Sequence, residues 1–479
     1  MAELELKLTK KTKGGKVTGR MPTTNEAILL FFTALIVIIM GIRINIGIAA
    51  ALMCGTLLAA LFSTYLGYSW TEIQSAMVSG IVNSLPAIII LMLVGMIIGI
   101  WIAGGTVPTL IYYGLQILSP RWFLPITFIL CAIVSTATGT SFGTIGTMGL
   151  ALIGVGEGLG LPLAAVAGCI VSGSYFGDKM SPLSDTTNIA PAMAGAELFD
   201  HIRSMMYTTI PATVIALICY TIIGYNYQGN DISSPQVQQL LTAIPANFNI
   251  SLWTLLPPVV VITLSIMKFP SIPVLATSVV VSAVMAIFTQ GLSFVAVVNA
   301  AMNGNVSNVG VELIDKVFTG GGMGKMLGTI AVIMIATSFG GILESSGVLS
   351  TVVTALLKKV KRTGDLIVCV ILSCYLVAVS AGSGTLSIIL PGRTFKSAFE
   401  ERNIAANVLS RTLEDAATLG ITLVPWSVPG LYITGMLHVP TIQYAPYNIL
   451  CWITPIFSII FGYTGFAIWN RNQETKVDG

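Results

Sequence analysis

Apolar runs of membrane-spanning length alternate along this chain with short polar breaks. They lie near 27–42, 46–66, 84–103, 122–138, 145–177 and 206–226, and then near 251–267, 271–289, 326–343, 365–382, 405–435 and 447–469. About 20 apolar residues cross a bilayer as a helix, so the pattern predicts eleven or twelve spans. Glycines at 154–160 interrupt the fifth run, and the run at 405–435 is broken as well. The stretches 70–83 and 293–316 are weakly amphipathic, and each precedes a strong span. That pattern suits helices lying on the membrane surface. Between the two sets of runs, 227–250 is polar, with Asp231 but no Lys or Arg.

Two polar stretches interrupt the apolar background where a lipid-facing helix would carry none. Residues 135–144 read STATGTSFGT, and residues 172–191 read SGSYFGDKMSPLSDTTNIAP, with Asp178 and Asp185. Glycines, hydroxyls and acids at bilayer depth line a polar site or a water-filled path.

The halves resemble each other. Gly99–Gly105 matches Gly341–Gly347 at an offset of 242, and Ser135–Thr140 matches Ser380–Thr385 at 245. Asp178 and Ser181 match Asp415 and Thr418 at 237. Three matches in one order at a nearly constant offset point to an internal repeat. Charge points to its inversion. The loop after Gly105 holds Arg121 alone, whereas the loop after Gly347 holds Lys358, Lys359, Lys361 and Arg362. Cytoplasmic loops are rich in Lys and Arg, so the first loop is external and the second internal. Arg393, Lys396 and Arg402 run against this scheme, partly offset by Glu400 and Glu401. Broken helices meeting near the midplane of two inverted repeats describe secondary transporters.

Composition narrows the class. Charged residues make up 9% of the chain and hydrophobic residues 54%, whereas a soluble domain carries about 25% charged residues. The solvent for most of the surface is therefore lipid. A net charge of +3, with no basic stripe, excludes a nucleic-acid partner. The seven cysteines sit mostly in apolar runs without metal-binding spacing; they read as small core side chains. Lys7, Lys10, Lys11, Lys13, Lys16 and Arg20 precede the first apolar run, and no small-residue cleavage site follows it. A retained first span with a cytoplasmic N-terminus is expected. The predicted fold is an all-α polytopic membrane protein. It comprises a basic cytoplasmic tail (1–24), a first repeat (25–226), an external loop (227–250), a second repeat (251–470) and a C-terminal tail (471–479).

The candidate site follows from oxygen chemistry. Where a helix breaks at Thr138–Thr140 or Ser383–Thr385, backbone carbonyls lose their helical partners and hydroxyls add neutral oxygens. A hard cation such as sodium favours such oxygens, and a carboxylate supplies the countercharge. Thr140, Ser141, Ser383 and Thr385 stand at the breaks; Asp178, Ser181, Asp185, Thr186 and Asn188 stand in the second polar stretch. Pro182, between the two acids, favours a broken helix there. An ordinary alternative pairs Asp178 with Lys179 and makes Asp185 a helix cap. Glu344 has no basic neighbour in sequence and follows a long apolar run; it is a proton carrier or ligand, or else a snorkelling end-of-helix acid. Asp415 is the repeat counterpart of Asp178, or else the i,i+4 ion-pair partner of Arg411.

Two motifs are set aside. Gly139–Gly143 fits G-x-S-x-G but lacks the strand–turn–helix setting and a histidine base. Gly320–Lys325 resembles a phosphate loop, but Met326 stands where Ser or Thr must follow the lysine. No catalytic constellation is visible, so an enzyme is not expected. No ATPase module is visible either, so the energy for transport comes from a gradient or from exchange.

GTSFGTIGTMG (139–149) and GSYFGDKMSPLSDTTNIAP (173–191) resemble the signature segments of the NhaC family of bacterial sodium/proton antiporters, part of the ion-transporter superfamily. The resemblance covers roughly 25–470. It implies an inverted-repeat carrier in a prokaryotic plasma membrane, coupled to sodium and protons, with no cofactor and with sodium as transported substrate. Asp178 also lies in the family-like segment, and together with the helix breaks this makes it the expected centre of the sodium site, with Asp185, Asn188, Thr140 and Thr385 around it. Some members resemble sodium–lactate/proton–malate exchangers, so a small organic acid or an amino acid stays open as co-substrate, with Arg393 and Lys179 as its anion partners. A channel and a homodimer stay open too.

Overall fold

The computed structural model describes residues 18–117, 119–227, 235–267, 269–310, 315, 318–358 and 360–471. Asp231, Lys359 and the tail lysines up to Lys16 lie outside these. The described chain is almost entirely helical.

The first series begins with α1 (Thr24–Arg43), α2 (Ile48–Tyr65) and α3 (Trp70–Ala103). It continues with α4 (Thr106–Ile117), α5 (Pro120–Thr138), α6 (141–158), α7 (Leu163–Met180), α8 (Asp185–Ala194) and α9 (Leu198–Asn226). A linking helix α10 (Pro235–Asn247) leads to α11 (252–266), α12 (Ser271–Gln290), α13 (Phe294–Asn303), α14 (Met323–Ser345) and α15 (Val348–Leu357). The chain closes with α16 (Thr363–Ala381), α17 (Gly384–Glu401), α18 (Ala406–Leu423), α19 (Val428–Leu437), α20 (Thr441–Tyr447) and α21 (Ile449–Thr464).

Among the described residues, eight helices are long and apolar enough to cross a bilayer. The number rises to eleven if α10–α11, α18–α19 and α20–α21, bent by 96°, 49° and 57°, each count as one span. Large apolar side chains stand exposed along their outer faces: Leu29, Phe32 and Ile36 on α1, Ile210, Val214 and Ile218 on α9, Val280 and Phe288 on α12. Exposed apolar surface on this scale is a lipid contact.

The stretch 70–83 does not lie on the membrane surface. It is the first half of α3, a single helix of 34 residues that runs through Pro86. A capping box starts it, with Ser69 and Glu72 satisfying each other's backbone N–H groups. Its small residues then pack into α14: a Cβ on Gly80 would stand 2.0 Å from the Thr337 carbonyl oxygen. Ile73, Ala76 and Gly80 form the face that meets α14, while the polar Gln74, Ser75, Ser79 and Asn83 stay exposed on the other side. In the described part of 293–316, one face of a short helix packs inward and the other exposes Phe294, Val295 and Val298. α13 packs along α3 with Val297, Ala300 and Ala301 buried. The chain then returns through paired backbone bonds between Asn305 and Gly320, and the Gly322 N–H donates to the Gly95 carbonyl at 2.7 Å.

The register of the repeat is sharper in the structure than in the sequence. α5 and α16 end at Gly139 and Gly382, both with positive φ, 243 residues apart. Thr140 and Ser383 then cap α6 and α17, and α7, α8 and α9 start 243 residues before α18, α19 and α20. At this register Asp178 corresponds to Ile421, and Asp415 to Ser172. The sequence match of Asp178 with Asp415 was therefore out of register, as was that of Gly139 with Gly384.

Candidate ion site

The site forms where three helix breaks converge. α5 cannot continue past Gly139, whose φ of 67° suits glycine. The chain turns, and the Thr140 hydroxyl accepts the Gly143 N–H at 3.2 Å to start α6. In the second series Gly382 turns the chain and the Ser383 hydroxyl accepts the Leu386 N–H at 3.4 Å to start α17. The third break is Ser181–Ser184, between α7 and α8, where Pro182 has no N–H to continue a helix. Hydroxyl and amide side chains brace it. Thr187 donates to the Lys179 carbonyl at 3.0 Å, and Asn188 donates to the carbonyls of Pro182 and Ser184 at 2.9 and 2.7 Å.

A cavity of about 620 Å³ lies among these breaks. Asp178, Asp185, Thr140, Ser141, Thr186, Ser383 and Thr385 all line it. Asp178 ends α7 and is 8% exposed; the Ser141 hydroxyl donates to its Oδ2 at 2.7 Å. Asp185 opens α8 and is exposed to the cavity, while Ser184 holds the cap position before it. No Lys, Arg or His is among the lining residues, so the cavity carries negative charge alone.

Four of the sequence candidates stand elsewhere. Ser181 is buried and accepts the Leu183 N–H at 3.3 Å; Asn188 braces the third break. Neither lines the cavity. Glu344 stands exposed near the end of α14, with Arg393 as its neighbouring charge. Asp415 is fully buried behind the cavity in an ion pair with Lys179. It also accepts hydrogen bonds from Ser458 at 2.5 Å and Thr208 at 3.2 Å. Neither the Asp178–Lys179 pair nor the Arg411–Asp415 pair forms. Residues 414–418 make a π-turn, which adds a residue to the turn and displaces Asp415 from the i,i+4 face. Arg411 instead donates to the Ala467 carbonyl at 3.0 Å and lies over the rings of Phe461 and Trp469.

Sequence reasoning missed Asn83, Ser84, Tyr175 and Thr418, all in the cavity wall. The first two carried a signal. An Asn-Ser-Leu-Pro run in the middle of a span marks a weakened helix, because Pro86 forfeits the bond to the carbonyl four residues earlier.

The model of the Na+/H+ antiporter family matches residues 15–175 and 173–466. The chain is 41% identical to the Na(+)/H(+) antiporter NhaC of Alkalihalophilus pseudofirmus, over 88% of this chain and 91% of that one. It is 40% identical to the malate-2H(+)/Na(+)-lactate antiporter of Bacillus subtilis, over 96% and 98%. It is 33% identical to the arginine/ornithine antiporter ArcD of Halobacterium salinarum, over 95% of each.

Proposed function

The chain belongs to the Na+/H+ antiporter family, and from that premise we propose that it exports sodium against entering protons by alternating access in a prokaryotic plasma membrane. The observation that carries this reading is the sign of the cavity. Two carboxylates and several neutral oxygens face it, and no cation does. Asp178, Asp185, Thr140, Ser141 and Thr385 offer a desolvating sodium ion hard oxygen ligands. A proton binds the Asp178 carboxylate in competition with the ion. One group that takes either sodium or a proton, opened to one side and then the other, exchanges them without holding both.

The two helix series, 25–226 and 251–470, act as inverted copies joined by an external 227–250. The N-terminus is cytoplasmic. The basic cluster of Lys358, Lys361 and Arg362 after α15 and the absence of Lys and Arg from 227–250 support this orientation.

A second reading has its own support. The cavity is much larger than a bare sodium ion, and two relatives are named for organic substrates. A carboxylate substrate would find no protein cation there: Lys179 is held by Asp415 and Arg393 is exposed outside the cavity. Bound sodium would be its cationic partner, beside the hydroxyls of the wall. Purified protein in sealed vesicles decides between the readings. Sodium–proton exchange predicts a sodium-driven pH change with no organic solute present. A pH change that appears only after malate, lactate or an amino acid is added would replace that reading with the second.

A further inference from the structure

Glu414 is fully buried where α18 enters its π-turn, and neither of its carboxyl oxygens has a hydrogen-bond partner within 3.5 Å, although the hydroxyls of Thr186 and Thr418 lie beside them. The hydroxyl of Thr418, one turn on, is equally unpartnered, and Thr418 lines the cavity. Thr186, another cavity residue, also lies beside the Glu414 carboxyl. Glu414 therefore stands one layer behind the cavity, separated from it by two hydroxyls.

The surrounding charges make an ionised Glu414 hard to hold. α7 brings Lys179, already paired with Asp415, and Asp178, of like sign. α16 brings the Cys374 thiol, with Tyr375 beside Asp415, and α8 brings the Thr186 hydroxyl, with Asp185 one residue before it. On α9, His201 faces Ser410, with Lys179 and Arg411 as its neighbouring charges. On α17, Arg393 is exposed and Lys396 lies against Gly195. α21 gives Ser458 to Asp415 and Cys451 to the surroundings of Lys179. On its own helix Arg411 is turned to the Ala467 carbonyl. Glu414 has no cation of its own. A buried carboxylate without a partner is strongly disfavoured, and a proton removes the charge.

We propose that Glu414 is a second proton-carrying group of the exchanger, reached from the cavity past Thr418 and Thr186, and separate from the carboxylate at which sodium and proton compete. When Glu414 holds its proton, Lys179 and Asp415 balance each other. When the proton leaves, Lys179 is shared between two carboxylates. With one proton on Asp178 and one on Glu414, two protons enter for each sodium that leaves, and one net positive charge crosses the membrane.

The inference rests on the exchange reading, and the experiment keeps the two apart. Wild type and Glu414→Gln are reconstituted in vesicles with the membrane potential clamped at zero, and the pH gradient that stops net flux is measured. A tenfold sodium gradient is balanced by about half a pH unit when two protons move per sodium, and by about one unit when one does. The expected null points are about half a unit for the wild type and about one unit for Glu414→Gln, with exchange persisting. A wild-type null near one unit, or a Glu414→Gln null still at half a unit, would overturn the proposal. An absence of sodium-driven proton flux in the wild type would instead overturn the exchange reading. If the amide variant does not fold, Glu414→Met gives the same readout, because an apolar side chain has no hydrogen bond to lose there. A merely structural Glu414 leaves every folded variant at the wild-type null.

Discussion

Asp178 and Lys179 are adjacent in sequence and serve different surroundings. Successive helical residues point about 100° apart, so Asp178 meets the cavity and Lys179 the buried Asp415. Removing one partner of a buried pair leaves the other charged and unpaired, at about 3–5 kcal/mol. Lys179→Met is expected to lose that much stability in thermal unfolding, and Lys179→Met combined with Asp415→Leu to recover most of it. A single variant as stable as the wild type would contradict the pairing. Glu344 is the opposite case. It stands exposed, outside the cavity, so Glu344→Gln is expected to transport near the wild-type rate at every pH. A lost or uncoupled exchange would return it to the mechanism. At this scale, the sequence marked Asp178 by its glycine-rich, hydroxyl-rich setting. The partner of Lys179 was not legible, because it lies 236 residues away and is presented by a π-turn that helical spacing does not foresee.

The helix breaks are where sequence and structure agree most closely at the scale of elements. The breaks read at Thr138–Thr140 and Ser383–Thr385 fall at the ends of α5 and α16, but the second left-handed turn is made by Gly382 rather than Gly384; in both, the next hydroxyl caps the following helix. A side chain at Gly139 meets two obstacles: a φ of 67°, and a Cβ 2.6 Å from the Leu183 Cβ across the third break. Gly291 has the same φ with nothing within 4 Å. Both alanine variants carry backbone strain of about 1–2 kcal/mol, but only Gly139→Ala is expected to raise the sodium concentration for half-maximal exchange. Equal kinetics in the two would show that the packing of the breaks does not shape the site. The stretch 70–83 was read as a separate surface helix because its polar residues are exposed, whereas it continues through Pro86 into the span as one helix of 34 residues. Asn188 was read as a ligand for another reason. An amide beside two acids is indistinguishable in sequence from one that braces the turn between them.

For the molecule as a whole, membrane residence was legible from apolar run length alone, and the repeat from its glycines, although its register of 243 emerged only from the helix boundaries. Orientation is the claim that remains to be measured. A cysteine placed at Thr242 on α10 is expected to react with an impermeant reagent from outside, and one at Thr363, beside the basic cluster, only from inside. Exposed Cys54 is replaced first in both. Labelling of both positions from the same side would contradict the inverted arrangement.

The proposed exchange rests on sodium and protons sharing the Asp178 carboxylate. In the wild type, each pH unit below the pKa of the site is expected to weaken apparent sodium affinity by up to about tenfold, the limit for one competing proton. The most direct test is calorimetric titration of sodium into purified, folded Asp178→Asn beside the wild type. The account predicts sodium binding by the wild type, weakening as the pH falls, and no binding by the variant. Undiminished sodium binding by Asp178→Asn would contradict it.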